Sequence, residues 1–181
     1  MTISDVQREI AAAVAADRQA RHDQAGHADD RMDVLRQRGE QHRRGLLGEF
    51  EFCNVFGGLP DLGYRPRGDE HDHTLILKSG QPVQADVKTS SYWGADPYIR
   101  VQAHKCDPAV VYVAARYHAG PDDVELVGWI TGAELLERHE IKRFTTINNY
   151  TAPYEALHPL AALAAVVRRD HDEYLGVSCW A

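Results

Sequence analysis

The chain has 181 residues, enough for one sizeable core, and its 44% hydrophobic and 26% charged residues are those of a folded globular protein rather than a disordered one. The formal charge of -7 argues against a protein whose whole surface grips nucleic acid, but leaves room for a local basic cleft. No apolar run is long enough to cross a bilayer and no signal-peptide pattern opens the chain, so a cytoplasmic protein with no membrane partner is expected.

Residues 4 to 23 read as a polar, alanine-rich helix capped by Ser4, with a thin apolar stripe at Val6, Ile10, Ala13 and Val14 that predicts a peripheral position. A second helix is predicted from about Asp33 to Phe56, stopped by Gly57-Gly58 and Pro60. Residues 1–28 are expected to form an N-terminal helical extension, and residues 29–181 the main domain. A hairpin follows, His73 to Lys78 and Pro82 to Thr89, turned at Ser79-Gly80. Further strands are expected at Tyr98 to Ala103, Ala109 to Ala115 and Glu125 to Ile130.

Thr131 and Glu134 form a capping box for a short helix through Arg138. An apolar helix over Pro159 to Val167 and an extended piece near Tyr174 to Trp180 complete the chain, while Asn148, Asn149 and Tyr150 read as a polar turn. The expectation is an α/β (α+β) fold, a central mixed sheet of about five strands flanked by helices. Cys53, Cys106 and Cys179 lack paired spacing and are expected to be reduced.

On the second helix Leu46, Phe50, Cys53 and Phe56 share one side with Glu49 among them, whereas Glu51 falls elsewhere. A carboxylate inside an apolar stripe needs a metal, a proton or a partner, and Arg43 or Arg44 could supply the last. Arg36, Arg38, Arg43 and Arg44, with Arg65 and Arg67 further on, form a basic cluster that reads equally as a solvated, salt-bridged face. In the hairpin, alternation puts Asp86 and Lys88 on one face and Val83, Ala85 and Val87 on the other. If Lys78 pairs with Pro82, Asp72 lies opposite Lys88 and Thr74 opposite Asp86. A two-residue turn instead sets His73 against Asp86 and sends Asp72 to the other face. Two carboxylates on one strand face invite a hard cation such as Mg2+ or Mn2+. His71-Asp72-His73 is a poor zinc site, because alternation separates its aspartate from its histidines.

These residues resemble the PD-(D/E)XK nuclease superfamily: Gly48-Glu49 on a helix, Asp72 before a strand, and Asp86-Val87-Lys88 fourteen residues on. The proline of that family's motif is missing before Asp72; the nearest is Pro66. The resemblance covers about residues 41 to 115. It implies a restriction-endonuclease-like fold and metal-dependent hydrolysis of phosphodiester bonds, with Mg2+ (or Mn2+) held by Asp72, Asp86, the Val87 carbonyl and Glu49. Lys88 would orient or deprotonate the attacking water. DNA is the expected partner, RNA stays open, and a homodimer is compatible with the pattern. Arg43, Arg44, Ser90, Ser91, Tyr92, Trp93, Gln102, His104 and Lys105 are the candidate substrate contacts. The alternative is a catalytically silent member of the fold that binds nucleic acid or a protein partner.

Overall fold

The computed structural model describes residues 2–24, 39–63, 71–91, 97–144 and 147–168. Among them the order is α1 (Asp5–Gln24), α2 (Glu40–Phe56), β1 (His73–Ile76), β2 (Pro82–Ser90), β3 (Tyr98–Gln102), β4 (Val110–His118), β5 (Asp123–Thr131), α3 (Gly132–Arg138), β6 (Glu140–Phe144), β7 (Ile147–Pro153) and α4 (Leu160–Val166). The protein is mixed α+β. A four-stranded sheet runs β1-β2-β4-β5, with β2 and β4 parallel and the outer pairs antiparallel; a second, antiparallel sheet runs β3-β7-β6. No helix among the described residues is long and apolar enough to cross a membrane.

The four-stranded sheet is covered on both faces, which is why Val110 to Ala115 of β4 are buried without interruption. One face carries Ala85, Val87, Val111, Val113 and Ala115 and packs against α1, α2 and Leu163 of α4. The other carries Tyr112, Ala114 and Ile130 and packs against Ile99 and Val101 of β3, Ala152 of β7 and Leu135 of α3. Alternation places Asp86, Lys88 and Ser90 on this second face.

Three expectations are corrected. The central sheet has four strands, because β3 leaves it to pair with β7 in the second sheet. Asn148, Asn149 and Tyr150 are strand rather than turn: Asn149 faces Gln102 and Lys142 across β7, and Tyr150 packs against the core. Cross-strand packing overrides the weak strand preference of asparagine here. Helix α1 is not peripheral, since Ala11 and Ala15, with Ile3 just before the helix, enter the main core, while Val6, Ile10 and Ala13 of the expected stripe are exposed. Its start is fixed as expected by Ser4, whose Oγ accepts from Gln7 N–H while Gln7 Oε1 accepts from Ser4 N–H. The expected strand at Tyr174 to Trp180 and Cys179 lie outside the described residues.

Helix α2 is buried over nearly all of Leu46 to Cys53, with Glu49 and Glu51 both below a tenth exposed. Gly48 allows this depth. A Cβ at this position would run into Thr89 Oγ1 and stand 3.3 Å from Val87 Cγ1, so only glycine lets α2 approach β2 this closely. Glu51, read in the sequence as lying off the apolar side, is buried too, where it accepts from Asn54; burial raises its carboxyl above the ordinary value. With sheet on one side and α1 on the other, α2 has little free surface.

Candidate active site

The hairpin register decides which acids meet. Ile76 pairs with Pro82 and His73 with Ala85, so neither expected register holds. Leu77 N–H bonds Gln81 O at 2.9 Å, leaving a loop of Lys78, Ser79 and Gly80. Gly80 takes φ 85, the left-handed residue that ends a three-residue hairpin loop, and this fixes the register one step earlier than Ser79-Gly80 alone suggests. Asp72 therefore comes alongside Asp86 instead of Lys88.

Asp72 lies just before β1. Its N–H donates to Ala85 O at 3.1 Å, and its Oδ2 accepts from Val87 N–H at 2.8 Å, so a side chain replaces the next rung of the ladder. In a strand the N–H and C=O of one residue point to the same edge, so the Val87 carbonyl faces Asp72 as well. Asp86 lies within hydrogen-bonding reach of Asp72, and Lys88 Nζ sits 2.5 Å from Asp86 Oδ2. Oδ1 of Asp86 is buried with no hydrogen-bond partner among the described residues.

The electrostatics follow. Burial above all, opposed by the Lys88 charge and aided by Asp72, leaves the Asp86 carboxyl raised to about 7. At neutral pH the Asp86 carboxyl thus stands near its midpoint, and a cation bound beside it would draw it to the charged form.

Glu49 approaches from the α2 side. It and Asp72 both act on the Cys53 thiol, whose value rises to about 12, mainly from burial. Cys53 Sγ lies 3.9 Å from Nδ1 of His73, which stacks on Phe52 at 4.6 Å between ring centroids and is pushed down to about 4 by burial. A protonated thiol beside a neutral imidazole is packing, not a nucleophile pair. Among the described residues no three His, Cys, Asp or Glu side chains gather closely enough to hold a metal ion. The structure therefore unites Asp72, Asp86, the Val87 carbonyl edge and Lys88, while Glu49 stands behind them on the other layer.

Two adjacent carboxylates, one with an oxygen lacking a partner, and a main-chain carbonyl nearby form an oxygen-only donor set. It fits Mg2+ or Mn2+, which take one or two carboxylates and keep several waters.

The arginine cluster divides. Arg43, 18% exposed, is fixed by Glu40, Asp122 and the Tyr117 hydroxyl, with Nη2–Oδ1 of Asp122 at 2.7 Å. Arg44 bonds Glu40 at 2.9 Å and Ser91 Oγ at 3.1 Å while lying over the Tyr117 ring. Both tie α2 to the β4–β5 hairpin, so the salt-bridged reading describes them. Gln102 ends β3 and Lys105 follows it, exposed, in a short 3-10 turn with His104. Arg36, Arg38, Arg65, Arg67, Tyr92 and Trp93 lie outside the described residues.

One residue on the acidic face was missed in the sequence. The strand was expected to stop at Ala115, but β4 runs to His118, and the parallel register sets Asp86 beside Tyr112, Lys88 beside Ala114 and Ser90 beside Arg116. Continued alternation past Ala115 is the signal that would have placed Arg116 on this face. Its guanidinium lies 5.1 Å from the centre of the Tyr154 ring, whose hydroxyl it also hydrogen-bonds. No family model, no curated protein and no solved structure matches this chain.

Proposed function

We propose that the protein is a metal-dependent nuclease of restriction-endonuclease-like fold that hydrolyses phosphodiester bonds of DNA. The observation that carries this reading is the meeting of Asp72 and Asp86 across the hairpin, with Asp86 Oδ1 buried without a partner among the described residues and Lys88 on the same strand face. Asp72, Asp86 and the Val87 carbonyl would hold Mg2+ or Mn2+, with Glu49 behind them. A bound ion of this kind acidifies water and offsets charge building on a phosphoryl group.

The chain's own residues supply the rest. Asp72 fixes the edge of β2 through the Val87 N–H, so the carbonyl beside it is held in place. Lys88 is one-third exposed and can reach both Asp86 and solvent, which suits an ammonium that orients a water near the phosphate. Its direct pairing with Asp86 Oδ2 fits a positioning role in preference to proton abstraction.

The test is cleavage of labelled single-stranded DNA, linear duplex, supercoiled plasmid and RNA with Mg2+ or Mn2+, comparing wild type with Asp86→Asn and Lys88→Ala. Cleavage that requires metal and both side chains supports the reading. Folded wild type inactive on every substrate would sink it.

The second reading, a silent binding protein of the same fold, draws on the direct Lys88–Asp86 pair and on the absence of a third gathered acid among the described residues. It predicts nucleic-acid or protein binding with no metal requirement.

A further inference from the structure

The outer face of the three-stranded sheet is used by neither core. Alternation and register turn Ile99, Val101, Tyr150 and Ala152 toward the second core, and put Tyr98, Arg100, Lys142, Phe144, Asn149 and Thr151 on the opposite side. Tyr98 stands opposite Pro153 and Phe144 opposite Ile147, positions that a flat β7 would hold about 20 Å apart. Their ring centroids are nevertheless 6.0 Å from each other. The sheet therefore curls strongly about β7, and this face is concave. Its floor is Asn149 and Thr151, 3% and 1% exposed, and its walls come from β3 and β6.

The two cations cross between those walls. Arg100 of β3 lies over the Phe144 ring of β6 at 4.8 Å, and Lys142 of β6 lies over the Tyr98 ring of β3 at 4.3 Å. A ring aims a cation without neutralising it. Lys142 also pairs at 3.1 Å with Glu140, whose side chain is 71% exposed, so water screens that pair. Arg100 is exposed and meets no carboxylate among the described residues. The three strands carry Arg100, Lys142 and Arg143 against the single acid Glu140, in a chain whose 27 acidic residues outnumber its 20 basic ones. Exposed Lys105 follows directly on the end of β3. A local basic surface on an acidic chain is complementary to a polyanion.

We propose that this concave face binds a single strand of nucleic acid, with Arg100 and Lys142 on its phosphates and the half-buried Tyr98 and Phe144 beside its sugars and bases. The rings decide between polyanions. They give the walls an apolar part, which unpaired bases match and a run of carboxylates in an acidic peptide does not. A duplex keeps its bases stacked inside and offers phosphates alone. Arg100 and Lys142 are binding residues, and Phe144 and Tyr98 are positioning residues acting through them. The proposal stands apart from the nuclease reading, because Asp86 and Lys88 belong to the other sheet and a strand held here needs no metal. In a nuclease this face serves as a second hold on the strand, outside the cutting site.

The experiment is fluorescence anisotropy of a fluorescein-labelled thymidine oligonucleotide with the full chain in EDTA over a salt series, beside a duplex and a polyglutamate peptide of equal charge. Arg100→Gln and Lys142→Gln should each weaken single-strand binding roughly three- to tenfold and lower the slope of log affinity against log salt by about 0.7, one phosphate contact. Arg100→Lys should hold the slope and lose part of the affinity, because charge remains and the planar fork is gone. Phe144→Leu should weaken binding with little change of slope, since the charge stays and its aim is lost. Thermal melts separate lost contact from lost fold, and Arg100→Lys carries the test if Arg100→Gln melts early.

Unchanged affinity and slope in Arg100→Gln and Lys142→Gln would overturn the proposal, as would wild type that does not bind the oligonucleotide. Polyglutamate bound as tightly would overturn it in favour of an acidic protein partner, and duplex bound as tightly would overturn the single-strand assignment. Cleavage, measured separately in Mg2+, reports on the nuclease alone. Arg100-dependent binding by a wild type that cuts nothing upholds the proposal and refutes the nuclease; cutting with unchanged binding in Arg100→Gln does the reverse.

Discussion

Replacing Asp86 by asparagine should flatten the pH dependence of stability from about pH 4 to pH 8. Folding moves the Asp86 carboxyl from 3.8 up to about 7, so across that window the native state binds the proton more tightly than the unfolded chain. A group raised in this way contributes its full stability below the unfolded value and loses it as pH rises through the folded one. The whole displacement corresponds to on the order of 4 kcal/mol, at about 1.4 kcal/mol for each tenfold change. The carboxylate is 13% exposed and Lys88 lies against it, so water and side-chain rearrangement reduce the expected effect to about 2 kcal/mol. For a chain of this size that is roughly 4–8 °C in Tm. The assay is a set of melts and urea titrations of wild type and Asp86→Asn across the window. Wild type should lose ground steadily as pH rises, with the difference between the proteins growing by about 2 kcal/mol and levelling above pH 8. Adding Mg2+ at high pH should restore wild type and leave the variant unchanged. Parallel stability curves would show that Asp86 titrates as an ordinary surface carboxyl, and the argument for a charge-hungry pair would fall with it.

Gly48→Ala should cost about 1–3 kcal/mol in urea unfolding, because the added methyl enters Thr89 Oγ1, and Thr89→Ala in the same chain should recover part of it. Arg43→Leu should lower stability at pH 7 by roughly 2 kcal/mol, as it takes the guanidinium from Asp122 and leaves Glu40 with Arg44 alone. Arg43 holds the Asp122 carboxyl below its ordinary value, a contribution present above about pH 4 and lost as pH falls further, so the variant should also be less sensitive to acid. Thr131→Ala should cost about 1 kcal/mol by opening the capping box with Glu134, seen as a matching drop in thermal stability.

Regular patterns were legible in the sequence and their partners were not. The helices ending at Phe56 and Arg138, the hairpin and the buried strand through Val113 follow from periodicity and punctuation, and the structure places each within a few residues. Sheet membership depends on contacts distant in sequence, and nothing local to Tyr98–Gln102 announces that it pairs with Ile147–Pro153. The candidate site shows the same division. Alternation alone set Asp86 and Lys88 on one face, but the partner of Asp72 depended on which turn residue takes a positive φ, and Gly80 settled that. Glu49 was read as a buried carboxylate and is one; its distance from the aspartates is a matter of how α2 lies on β2, which helix periodicity does not encode.

The Asp122 junction also has a kinetic meaning. Arg43 reaches it across 79 residues of sequence and the Arg8 guanidinium meets the Asp122 carbonyl across 114. Contacts that close such long loops carry a large entropic cost until the strands and helices between them are in place. The junction should therefore assemble after the folding barrier and act as a latch on the finished structure. Breaking it with Asp122→Ala should leave the refolding rate nearly unchanged and speed unfolding, so that it governs how long the native state lasts more than how quickly it forms.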